Sequence, residues 1–212
     1  MKVAILSESP VDEAAIRILV EGLLQHDVEL PSMPPLRSRG YDAALASLRT
    51  VVRHLHYQTD AEALVLVVDS DRSVPHEAAH DALDQGESAC RLCRIRSSIQ
   101  QEQGRLSPRP SGDRLRTACG LAVPTLEAWL RCGLDPHVNE ATWCRALASR
   151  ESPYDGRRLK RDVYGVDAPP LELAVRVASE QARRLVDTGE LPHLEQLFPG
   201  GFGSLAADVR GW

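Results

Sequence analysis

Apolar positions along this chain change their spacing several times, and each change predicts an element. Lys2 to Leu6 opens with a short continuous apolar run, which predicts a buried strand. From Val11 to Leu24 the spacing becomes helical, with Ala14, Ala15, Ile18, Leu19 and Leu23 in phase. Pro10 precedes that run and Asp12 and Glu13 fall in its first turn, as a helix start favours. Val28 to Leu30 reads as a short second strand, and the proline-rich stretch from Pro31 to Gly40 as a loop. Tyr41 to His56 gives a second helix, with Ala44, Leu45, Leu48, Val51, Val52 and Leu55 on one face. Ala63 to Val68 is the strongest strand, a continuous Ala-Leu-Val-Leu-Val-Val run suited to the middle of a parallel sheet covered on both faces.

Further on, Val74 to Gln103 predicts helix with a break at Gly86, Gly104 to Gly112 a polar loop, and Thr117 to Val123 a strand. Pro124 to Leu130 reads as the first turns of a helix; Asn139 to Ser149 and Leu171 to Thr188 are further helices, and Pro199 to Gly203 is a Gly-rich turn near the end. Strands separated by helices predict an α/β fold with a mostly parallel sheet. The expected division is a catalytic α/β part over residues 1–135 and a mainly helical part over 136–212, packed on or beside it.

Composition narrows the class. The chain has 212 residues, 43% of them hydrophobic, which is enough for a core. Only 4% are aromatic, so aliphatic side chains and Ala must fill it. The formal net charge of −5 excludes a protein that coats nucleic acid through bulk basicity. No apolar run reaches the ~18 residues of a membrane span, and the opening run is too short for a signal peptide. These features point to a cytoplasmic protein with no membrane partner. Five cysteines, an odd number, argue against a disulfide framework. Cys90 and Cys93 form a C-x-x-C, but Cys119, Cys132 and Cys144 supply no second pair for a four-cysteine metal site.

The carboxylates carry the chemistry. Glu8 follows the first strand, with Asp12 four residues on. Asp69 and Asp71 follow the central strand as Asp-x-Asp. Sites in open parallel sheets form outside the carboxyl ends of the strands, so neighbouring strands would bring these four acids together. Carboxylates so placed cannot all ionise without a cation. Hard divalent ions take oxygen ligands, and the inference is a Mg2+ or Mn2+ site for a phosphate-bearing substrate.

At these residues the chain resembles the Toprim family. Ile5 to Glu13 (ILSESPVDE) is similar to its first motif, and Val67-Val68-Asp69-Ser70-Asp71 to its Asp-x-Asp motif. Val123 to Leu130 (VPTLEAWL) resembles a P-x-x-E-A-W-L stretch of small Toprim proteins akin to the nuclease domain of the OLD (overcoming lysogenization defect) family. The resemblance implies a Toprim-like, Rossmann-like sheet flanked by helices, and a metal-dependent nuclease acting on DNA or RNA. It further implies phage defence beside an AAA or ABC-type ATPase partner. Carried over by motif, Glu8, Asp12, Asp69 and Asp71 hold the metal. Glu127 serves a second ion or orients the first, Lys160 steadies the scissile phosphate, and Trp129 belongs to the core. The chain departs from the family where Ser9-Pro10 stands in place of the usual Gly after the first Glu, and where no Gly follows Asp71.

Three other readings stand beside this one. Asp69-x-Asp71-x-Ser73 also resembles the first motif of haloacid-dehalogenase-type phosphatases, in which the first Asp is the nucleophile. His76-Glu77-Ala78-Ala79-His80 matches the zincin pattern H-E-x-x-H, although Pro75 sets His76 at a helix start. His76 and His80 also qualify as contacts for a metal or substrate near the acids. A non-catalytic Toprim-like module that binds a partner through its C-terminal helices is the third. Two Arg-rich stretches, Arg91 to Arg116 and Arg145 to Arg161, offer local positive charge for phosphate contacts within the acidic total.

Overall fold

The three long apolar runs form three parallel strands, β1 (Val3–Leu6), β2 (Ala63–Asp69) and β3 (Arg116–Ala122), in the spatial order β1-β2-β3. Leu6 lies opposite Leu66, and Asp69 opposite Ala122. The computed structural model describes residues 1–34, 40–83, 86–109, 113–149, 154 and 156–212. Pro35 of the expected loop, Gly112, and Arg150 of the second Arg-rich stretch lie outside the described residues. The α/β class and the parallel sheet are as the sequence predicts.

Helix α1 (Pro10–Leu24) follows β1, and α2 (Tyr41–Gln58) precedes β2. Helix α4 (Arg91–Gln103) packs with α2 and reaches β3, while α10 (Ser204–Arg210) packs on β3 and α1. Both faces of β2 are therefore covered, which is why its apolar run is continuous. Helix α8 (Leu171–Asp187) lies along α1. Its buried positions include Ala174, Ala178, Ser179 and Ala182, small side chains that allow close approach. The remaining helices are α3 (Ala78–Asp81), α5 (Leu126–Leu130), α6 (Glu140–Ser149), α7 (Gly156–Tyr164) and α9 (Leu191–Leu197).

The expected strand at Val28–Leu30 is reduced to one bridge, Lys2 with Glu29. Val3 donates to Glu29 O at 2.9 Å and Glu29 donates to Met1 O at 3.0 Å. Pro31, which has no N–H to donate, prevents the pairing from continuing. The expected helix Val74–Gln103 is also corrected. Among its described residues only α3 and α4 are helical, and between them Gly86 takes φ +66°. Helices α7, α9 and α10 have no counterpart in the sequence reading, because each is short, at seven to nine residues.

The Gly-rich turn Pro199–Gly203 is a π-helical turn that belongs to the core, with Gly201 and Phe202 buried. Phe202 meets Trp129 edge-on at 5.2 Å between ring centroids, and both are fully buried. Each such side chain contributes ~3 kcal/mol by leaving water. Trp129 is thus the core residue that the sequence predicts. Asp208 on α10 accepts the β3 N–H of Cys119 at 3.0 Å, so a polar contact covers the outer edge of the sheet.

Candidate metal-binding acid site

Each strand end delivers a carboxylate to the same edge. Glu8 lies two residues past β1, Asp69 is the last residue of β2, and Glu127 sits on α5 just beyond β3. Asp12 enters from the first turn of α1. Glu8 Oε1 accepts the Asp69 N–H at 2.9 Å, which ties the ends of β1 and β2 together. Asp69 Oδ1 accepts the Leu126 N–H at 2.9 Å, which brings in α5. Ser9 caps α1, accepting from the Asp12 N–H at 3.2 Å and donating its own hydroxyl to Asp12 Oδ2 at 2.8 Å. The Tyr41 backbone N–H also reaches the Glu8 carboxylate, at the start of α2.

A bland account is available, in which these acids merely cap helix N-termini. Electrostatics decide against it. A carboxylate that only accepts helix N–H groups ionises more readily than usual. Here the reverse holds. Asp12 is pushed up to about 7 by burial first; the Ser9 hydroxyl opposes this, and Glu127 and Glu8 add to it. Asp69 is held well above the usual carboxylate range by burial, then by Asp12, Glu127, Glu8 and Asp71. Glu8 is raised by burial despite the N–H groups of Asp69 and Tyr41. Asp12 and Asp69 keep a narrow opening to solvent while protein surrounds their remaining sides, so mutual repulsion is poorly screened. Buried acids that feel one another's charge are satisfied by shared protons or by a cation.

Asp71 stands at the mouth of this recess. Its backbone is left-handed at φ +49°, a conformation Asp tolerates better than most residues, and its N–H donates to Pro124 O at 2.9 Å. Its exposed carboxylate pairs with Arg91 at 2.7 Å, and Arg91 also donates to Asp69 O at 2.6 Å. The Arg91 guanidinium lies 4.3 Å from the centroid of the Tyr41 ring.

Lys160 is exposed on α7, and its charge favours ionised Asp12. One turn further along α7 stands Tyr164, whose phenol is pushed up by burial first and then by the charges of Glu127 and Asp12. The five acids singled out from the sequence therefore fall at one edge, and the Lys160 charge is felt there by Asp12. Tyr164 was missed; its signal was the i, i+4 spacing from Lys160 on a helix that the sequence did not reveal.

The arginine stretches are largely spent inside the protein. Arg91 serves Asp71, Arg96 pairs with Asp81 and Asp208, Arg105 with Glu102, and Arg109 donates to Leu55 O and Ala61 O. In the second stretch Arg158 pairs with Asp135 and Arg161 with Asp167. A groove of about 1230 Å³ lies between α1 and α8 and is lined by residues such as Arg17, Met33 and Arg183. None of the candidate acids lines it.

The zincin pattern does not form. Glu77 is the N-cap of α3 and His76 precedes the helix, so the two histidines do not share a helical face. His76 and His80 meet Cys90 and Cys93 instead, and take no part in the acid recess. That group is the one, among the described residues, whose ligand atoms all lie within 4.8 Å of one another; the acids are spread more widely. No helix among the described residues is long and apolar enough to cross a membrane. Set against protein-family models, curated proteins and solved structures, the chain shows no match.

Proposed function

We propose that the chain is a divalent-metal-dependent nuclease of Toprim-like type, with its site at the recess of Glu8, Asp12, Asp69 and Glu127. One observation carries the reading: carboxylates from all three strand ends crowd together until Asp12 and Asp69 resist ionisation, at the sheet edge where open α/β folds bind ligands. The donor set is all oxygen, which suits Mg2+ or Mn2+. When bound, such an ion supplies a nucleophilic water at neutral pH and offsets charge on the leaving oxygen.

The protein's own groups divide the remaining work. Asp69 and Glu8, fixed through the Leu126 and Asp69 N–H groups, present their carboxylates at the centre. Asp12 and Glu127 line the inner wall, with the Tyr164 phenol within reach of the Glu127 charge. Lys160 reaches the site from the solvent side, where a phosphodiester enters, and balances the charge of the phosphate. Asp71 is engaged by Arg91, so its part is to hold the mouth in shape or to exchange Arg91 for a second ion.

The wider setting, an OLD-like nuclease acting with an AAA or ABC-type ATPase in phage defence, rests on the likeness of residues 5–13, 67–71 and 123–130 alone. The phosphatase alternative asks Asp69 to attack phosphorus. Its Oδ1 is occupied by the Leu126 N–H and its neighbours are carboxylates, a setting that favours holding a cation. The test is cleavage of plasmid, single-stranded DNA and transfer RNA with Mg2+ or Mn2+, run beside Asp69→Asn and Asp69→Ala/Asp71→Ala. Cutting that vanishes in both variants supports the site. Equal cutting by wild type and variants overturns it.

A further inference from the structure

The connection from β2 to α4 has almost nothing apolar to order it. Among the described residues of 70–90 the only regular element is the one-turn helix α3, and Val74 and Leu83 are exposed at 41% and 51%. Its buried polar groups are Ser70 and His76. Yet this segment carries Asp71 and leads into Arg91, two residues that frame the acid recess. Something other than a hydrophobic core must hold it.

We propose that His76, His80, Cys90 and Cys93 bind one structural zinc ion. Their four ligand atoms all lie within 4.8 Å of one another. His76 Nδ1 is 3.8 Å from Cys90 Sγ and 3.5 Å from Cys93 Sγ. A tetrahedral zinc with ordinary Zn–N and Zn–S bonds places N and S about 3.6 Å apart. The donors are two thiols and two imidazoles, a borderline-soft set that suits zinc and not the hard ions suited to the acid recess. The spacings, His-x-x-x-His and Cys-x-x-Cys, are those of closed structural sites. The four side chains fill all four positions, so the site holds structure and leaves no place for a substrate. A two-iron cluster is a poorer fit, since it would keep its thiolates and imidazoles on separate irons.

Two further features are those of a built site. Asp81 lies 3.4 Å from His76 Nε2, on the far side of the ring from the cysteines, and Arg96 holds Asp81 at 3.2 Å. Zinc-bound histidines carry this kind of carboxylate behind the ring, which fixes the tautomer that presents the other nitrogen to the metal. Gly86, at φ +66°, passes so close to Cys93 that an added Cβ would sit 2.8 Å from the Cys93 Cβ. The turn that brings the histidine half onto the cysteine half therefore requires Gly. Cys90 immediately precedes Arg91, so the ion would anchor the residue that grips Asp69 and Asp71. The assignment is independent of what the acid recess does.

The test is elemental analysis of the full chain purified without chelator, together with Cys90→Ser, Cys93→Ser and His80→Gln. One zinc per chain in the wild type, with loss of nearly all of it in the cysteine variants, is expected. Should those variants fail to fold, cobalt titration of the metal-stripped wild type reads the same site. Tetrahedral bands with thiolate charge transfer support it, and an octahedral spectrum overturns it. Chelation should raise alkylation of Cys90 and Cys93 but not of Cys119, read by mass spectrometry. Asp81→Asn should weaken zinc binding roughly 10–100-fold. A wild-type chain that takes up no zinc on reconstitution, a Cys90–Cys93 disulfide, or one iron in place of zinc overturns the proposal.

Discussion

Glu8 accepts the backbone N–H of Asp69 at 2.9 Å, so the acid that ends one strand is fixed by the acid that ends its neighbour. The bond joins two segments 61 residues apart and sets the spacing of two proposed ligands. Glu8→Gln keeps an oxygen to accept that N–H; Glu8→Ala does not. Both should lose cleavage by at least about 100-fold, the scale of removing a catalytic electrostatic group. Only Glu8→Ala should also lose stability, by about 1 kcal/mol for the bond. Thermal melts beside cleavage rates separate the two effects. Full cleavage by Glu8→Gln would place the chemistry elsewhere.

The raised carboxyls make stability depend on pH in a defined direction. Asp12 releases its proton near pH 7 in the folded chain, and near pH 4 once unfolded. Between those values the folded chain binds more protons than the unfolded one, so stability falls as pH rises. The contribution is full below about pH 4, declines through about pH 7 and is flat above it. Asp69 acts in the same sense. Asp12→Asn removes its share, so the gap in melting temperature between variant and wild type should widen in the variant's favour from pH 5 to pH 7.5. Mn2+ at pH 7.5 should close the gap by stabilising the wild type, by about 2.7 kcal/mol at 100 times its Kd. A gap constant with pH contradicts the crowding of these acids.

The strands and the acids at their ends were legible because continuous apolar runs such as Ala63–Val68 have few other uses; that β1 and β2 are neighbours was not. Lys160 was reached by motif alone, since α7 is a short helix in a basic run whose only buried side chains are Leu159 and Tyr164. The His76/His80 and Cys90/Cys93 pairs were each visible, but not their meeting. That meeting depends on a turn at Gly86, and turns that bring distant pairs together leave no periodic trace. Glu140 was hidden for a similar reason. Its carboxylate accepts from the Gly200 and Gly201 N–H groups, both at 3.2 Å, and burial lifts it to about 7.

Gly201 shows how tightly the C-terminal turn is built into the sheet. A Cβ there would lie 2.1 Å from the carbonyl oxygen of Leu121 on β3, a backbone atom that cannot step aside. Gly201→Ala should therefore destabilise the chain by about 3 kcal/mol, at the upper end for overpacking. Gly165→Ala meets no atom within 4 Å but forces Ala to φ +77°, and should cost less, about 1 kcal/mol. Denaturant unfolding of both variants gives the comparison. Equal losses would mean that backbone conformation, and not contact with β3, sets the requirement at Gly201.

Lys160 and Tyr164 share a face of α7 but touch the site differently, and this separates binding from positioning. Lys160 is exposed and acts on Asp12 through its charge, so Lys160→Met should leave the fold intact. It removes one cation from the path of the phosphate, and should raise KM, reduce the salt dependence of binding by about one counterion, and lower kcat/KM about 10–100-fold. Lys160→Arg keeps the charge and should recover most of the KM. Tyr164 is buried and its phenol feels the charge of Glu127, so Tyr164→Phe alters the surroundings of a carboxylate at the inner wall without altering the entrance. Its expected signature is a fall in kcat with KM and salt dependence unchanged. If the two variants instead behave alike in KM and salt slope, α7 acts as a single structural support and Lys160 does not meet the phosphate.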